Sequence, residues 1–194
     1  MKGGNPSLIN STTCLAMSET QQIIFPPKVT GFHNPSDSAP ELQDLKPFHL
    51  KCQAISAVGL LNPIEFFDYS AEPSRSYHLQ LAEDSRSIGY FLFLNKYAPL
   101  VAISKMLDNS WKSWDGTGEL PPNQYIDFPE LEAYFQPDFQ LIPVATLLLP
   151  IDADKPESAA VVQNLQDSEF AEFSYFAPQN LGNLVFNNWE KAKR

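Results

Sequence analysis

Residues 87–94, Ser-Ile-Gly-Tyr-Phe-Leu-Phe-Leu, form a near-continuous apolar run between the polar turns Glu83-Asp84-Ser85-Arg86 and Asn95-Lys96. A β-strand sends successive side chains to opposite faces, so a strand without polar alternation needs cover on both sides. Its length suits a strand better than a helix. The run therefore predicts an inner strand, and its neighbours extend the pattern. Tyr77, Leu79 and Leu81 alternate with His78 and Gln80, which predicts a half-buried strand before it. Leu100 to Ile103 predicts a third strand of a meander.

Helical signals surround this sheet without β–α–β alternation. From Leu45, Phe48, Cys52, Ile55 and Val58 recur at helical spacing, Pro47 suits a first turn, and Gly59 with Asn62-Pro63 ends the segment. Asp127 to Glu130 reads as a capping box opening a short helix that Pro137 stops. Gln140 to Leu149 reads as a further buried strand, edge-biased by Pro143. Pro156 predicts a helix carrying Val161, Val162 and Leu165, interrupted at Asp167-Ser168. A last helix is expected from Asn180 to Ala192, with cations at its end. The expected fold class is α+β: a single domain with an antiparallel sheet packed by several helices, plus an extended N-terminal arm.

Residues 1–44 are polar and punctuated by Pro26-Pro27, Pro35 and Pro40, which predicts an extended, flexible arm ahead of a globular domain at 45–194. Residues 1–40 are expected to be dispensable for folding, since their composition buries little apolar surface. The arm's one apolar cluster, Ile23-Ile24-Phe25, reads either as a docking anchor or as a segment packed on the domain's flank. Met17-Ser18-Glu19-Thr20 resembles a second start, which would make residues 1–16 an upstream extension. No secretory signal pattern follows Lys2, and no apolar run approaches the roughly 20 residues of a bilayer span. With only Cys14 and Cys52, reduced thiols and a cytoplasmic location are the expectation.

The charge is unevenly placed. Between Tyr125 and Glu190 lie eleven carboxylates and one cation, Lys155, so this third of the chain carries the whole net charge of −10. It is also dense in aromatics. Such a field repels nucleic acid and anionic lipid and steers basic partners toward itself.

Catalytic and metal motifs are scarce. His49 and Cys52 stand one helical turn apart, but no second ligand pair follows at zinc spacing, and Cys52 lies on the apolar stripe of its helix. Asp108 to Glu119 has the length of a calcium loop, yet Lys112 replaces a ligand and Ser113 the turn glycine. There is no nucleophile elbow and no glycine-rich phosphate loop. No catalytic, cofactor or metal residue is assigned.

The expectation is a non-enzymatic protein-interaction module (assembly factor, adaptor or complex subunit) that binds a basic protein partner through an acidic, aromatic-rich surface. The residues assigned to it are Ile23, Ile24, Phe25, Trp111, Trp114, Glu169, Glu172, Phe173 and Trp189. Reversing Glu169 and Glu172 to lysine is expected to weaken binding and leave the fold intact. Two alternatives use the same residues: an immunity-type protein capping a basic toxin, or a small hydrolase or carbohydrate-binding module built on Trp111 and Trp114.

Overall fold

A computed structural model describes residues 23–151 and 160–186, with the backbone alone for 160 and 172–175. It shows the expected α+β domain. The meander comprises β1 (Asn62–Phe67), β2 (Tyr77–Glu83), β3 (Gly89–Asn95) and β4 (Leu100–Met106), and β5 (Asn123–Tyr125) adds antiparallel to β4. A two-residue strand, β6 (Gln140–Leu141), pairs parallel with the other end of β4. All seven residues of β3 are buried, as its unbroken hydrophobicity requires.

Cover comes from opposite sides. One face presents Leu92, Leu94, Val101 and Ile103 to α1 (Leu45–Ala57) and α2 (Pro129–Phe135), whose Phe48 and Phe135 stack at 5.8 Å. The other presents Tyr77, Leu79, Leu81, Phe91 and Phe93 to α3 (Val144–Leu147), α5 (Leu181–Val185) and residues 23–29. α4 (Asp167–Phe176) borders this second layer, with Phe170 and Phe176 packed on it. Among the described residues no helix is long and apolar enough to cross a membrane.

The arm departs from the expected one. Ile23, Phe25 and Val29 are core residues, and Phe25 N–H donates to Val161 O at 2.9 Å. Residues 23–30 are therefore part of the folded unit, because a phenylalanine with no exposure contributes about 1.5–3 kcal/mol by burial alone. Leaving out residues 1–40 would remove that layer.

Four further departures have local causes. β2 is buried on both faces, His78 and Gln80 included, because its neighbour β3 lies under α1 and the cover extends over both. The apolar run after β6 is one helical turn: Pro143, lacking an N–H, sits at the N-cap of α3, and only Leu147 of that turn points into the core. At α2 the helix begins after Phe128 with Pro129 in its first turn, so there is no capping box at Asp127. Asp167 opens α4 rather than interrupting a helix; of the helix expected from Pro156, residues 160–162 form a 3-10 turn and 152–159 lie outside the described residues. Asn180 caps α5 by accepting from Asn183 N–H, and the rest of the expected last helix lies outside the described residues from 187 on.

Candidate functional site

Three clusters concentrate polar or aromatic chemistry, and they differ in what they leave open. The first is the tryptophan loop. Trp111 is buried and faces Gly89 so closely that a Cβ there would lie 2.5 Å from the indole. Trp114 is half-buried between Phe67 and Phe91, with ring centroids 5.0 and 5.3 Å away, and its Nε1–H donates to Thr117 O at 2.7 Å. The loop carboxylates cap their own turns: Asp108 accepts from Ser110 and Asp115 from Thr117, which holds both below the usual carboxylate range. The tryptophans thus anchor the loop to the sheet; Trp111 is buried and the loop's own Lys112 ammonium lies 5.4 Å from its ring centroid.

The second cluster is buried charge around the β1–β2 connection, which sequence patterning did not single out. His78 has no exposure, stacks on Phe66 at 6.0 Å, and lies with Nδ1 3.2 Å from Asp68 Oδ1. Tyr69 N–H donates to the same Nδ1 at 3.2 Å. That amide makes Nδ1 an acceptor, so the neutral ring carries its proton on Nε2, which is buried without a hydrogen-bond partner among the described residues. Burial lowers the His78 pKa to about 4, against the upward pull of Asp68.

Beside it Lys96 is fully buried, donates to Glu72 O, and is lowered to about 8 by burial, against the carboxylates of Glu72 and Asp68. Arg75 lies 3.9 Å over the Tyr69 ring and pairs with Glu72 at 3.0 Å. Tyr69 O–H donates to Gly116 O at 2.8 Å, tying this cluster to the tryptophan loop. A histidine general base needs its carboxylate partner on Nδ1–H and an open Nε2. Here Nδ1 already receives an N–H and Nε2 is sealed, so the arrangement fastens two loops rather than presenting a base.

The third cluster is a cleft of about 340 Å³ where β5, β6 and the start of α2 meet along β4. Ile103 and Ile142, both nearly fully buried, lie deepest in it. Ile126, Phe128, Pro129, Leu141 and Pro143 complete the apolar lining, and Asp127 and Glu132 stand exposed within it. Its size falls in the range of small-ligand or side-chain pockets, roughly 300–1,000 Å³. Asp127 Oδ1 accepts from Val144 N–H at 2.8 Å, and Glu132 Oε1 accepts from Gln136 Nε2 at 3.1 Å. Among the described residues neither carboxylate is ion-paired, nor is nearby Glu130, whereas Asp138 is taken by Lys51 at 2.8 Å.

The residues assigned from sequence are dispersed. Ile23 and Phe25 are core, Ile24 is exposed, and Trp111 and Trp114 anchor their loop. Glu169 is buried, 1% exposed, and its carboxylate accepts from Lys28 N–H (2.8 Å), Thr30 N–H (3.2 Å), Thr30 O–H (2.7 Å) and Gln166 N–H (2.9 Å). It is the clamp on the N-terminal segment, not part of an acidic surface, and reversing it would strike the fold. Glu172 and Phe173 belong to α4 with side chains outside the description, and Trp189 lies outside the described residues. Among the described residues no three His, Cys, Asp or Glu side chains converge to hold a metal. Cys52, remote from any ligand set, is a buried thiol pushed up to about 12 by burial.

No family model matches the chain, and neither a curated protein nor a solved structure is found similar to it.

Proposed function

We propose that this protein is a non-enzymatic interaction module, an assembly factor, adaptor or complex subunit, that binds a basic protein partner at the acidic cleft beside α2. The observation that carries this reading is the coincidence, in that cleft, of accessible apolar surface with two exposed carboxylates that have no ion pair among the described residues. Interfaces draw affinity from aromatic and apolar anchors, while charge steers encounter and selects the partner. The tryptophan loop spends the carboxylates of Asp108 and Asp115 on its own turns, and the buried cluster pairs Arg75 with Glu72. A net charge of −10 favours a basic protein over a nucleic acid as the partner. The two-cysteine composition supports a cytoplasmic setting.

The test is the salt dependence of association. Capture of the partner by the intact chain should slow several-fold between about 0.05 and 0.5 M salt, because exposed charges are screened beyond a Debye length of about 8 Å at physiological ionic strength. An association rate indifferent to salt removes charge from the mechanism.

A further inference from the structure

Taking that interaction reading as its basis, we propose that the cleft seats one arginine side chain of the partner, its guanidinium between Asp127 and Glu132 and its stem along Ile126, Phe128 and Leu141. Backbone pairing is largely closed off. The carbonyls of Val101 and Ile103 along this stretch of β4 are taken by Ile142 N–H at 2.9 Å and Ile126 N–H at 3.0 Å. An incoming segment therefore finds these two β4 carbonyls already taken, and recognition in the cleft falls to a side chain.

The lining fixes which side chain. Each carboxylate has spent one oxygen inside the protein, Asp127 Oδ1 on Val144 and Glu132 Oε1 on Gln136, which leaves Oδ2 and Oε2 to a ligand. The occupant must be cationic, must donate in more than one direction, and must carry an apolar stem. Arginine has five donors in a rigid planar fork, stacks on aromatic rings, and buries its methylenes along apolar walls. Lysine supplies the charge but neither the fork nor the stacking. The half-buried Phe128 ring supplies the aromatic surface.

The experiment titrates the full chain with N-acetyl-arginine methylamide and with its lysine and norleucine counterparts, followed by amide NMR shifts. The arginine compound should shift Ile126, Phe128, Glu132 and Leu141 saturably, with lysine weaker and norleucine without effect. Asp127→Asn with Glu132→Gln should weaken arginine binding at least about tenfold; both substitutions keep the acceptors that hold Val144 and Gln136, so the fold is retained. Equal binding of norleucine, or arginine shifts spread without saturation over Glu130, Asp138 and Asp167, would overturn the proposal. So would tighter arginine binding by a chain ending at Glu190, since the occupant would then be the chain's own Lys191–Arg194. Should arginine fail to bind while a salt-sensitive partner is still lost with the double substitution, the side-chain anchor falls and the interaction reading stands.

Discussion

Glu169 and Glu132 come from the same acidic third of the chain and do opposite things. Glu169, at the start of α4, turns inward and holds four donors, three of them backbone amides, of which that of Thr30 is buried. Glu132, in α2, turns outward into an apolar cleft and spends one oxygen on a neighbouring glutamine. The difference lies in what each helix packs against. α4 borders the N-terminal segment, whose backbone bends at Lys28 (φ 66°) and aims its amides at the carboxylate. α2 packs its apolar stripe, Leu131 and Phe135, against the sheet and leaves its acidic residues in solvent. Charge density along a chain thus locates a field, but packing decides which charges remain free to use it.

Substitution should separate the two residues sharply. Glu169→Lys places a cation against three amide donors and should cost about 4 kcal/mol or more, a large share of the stability of a domain this size. Glu169→Gln, which keeps an acceptor, should cost about 1–2 kcal/mol. Urea unfolding midpoints read both, and a fully stable Glu169→Lys variant would return this residue to the surface.

The segment that Glu169 clamps should matter nearly as much. Phe25→Ala leaves a cavity in the layer over β2 and β3, with an expected loss of about 3–4 kcal/mol by the same measurement. Ile24→Ala, on the exposed position between two buried ones, should stay within about 0.5 kcal/mol.

The buried charges give a smaller, pH-dependent effect. His78 is held at about 4 in the folded state against an ordinary value of 6.5, so between these limits the unfolded chain binds the extra proton. Its contribution is fully present above pH 6.5 and is lost as pH falls toward 4, a change on the order of 3 kcal/mol. Lys96, lowered to about 8 from 10.5, works in the alkaline window, where stability should rise from pH 8 to 10.5 as the unfolded chain keeps the proton longer. Stability measured against pH, with His78→Asn as the variant that removes the acid slope, checks the first assignment. An unchanged acid slope in that variant would locate the titration elsewhere.

Much of the sheet was legible in the chain because a seven-residue strand buried on both faces leaves an unmistakable mark, and α1 because its apolar stripe is regular. The cleft was not legible. Its walls are the loop between β5 and α2, the two-residue β6 and the Ile142-Pro143 turn that follows it, segments too short to show any period. Asp127 drew notice as a helix cap, and its actual contact, Val144 N–H, joins two elements that no local pattern relates. Glu169 was misread for the same reason: its donors on Lys28 and Thr30 are at the other end of the chain. A signal for the buried His78 was present, since a strand paired to a doubly covered one tends to share its cover.

The central claim is that the cleft carboxylates, rather than acidity in general, recruit the partner. The direct measurement is the amount of partner retained by the intact chain and by two double variants of equal charge change. Asp127→Asn/Glu132→Gln neutralises the cleft, and Asp115→Asn/Glu119→Gln neutralises two of the exposed acids of the tryptophan loop. Partner binding should fall at least about tenfold in the first and stay within about twofold of the unaltered chain in the second. Equal losses in both would show that only the overall field matters, and full retention in the first would contradict the account.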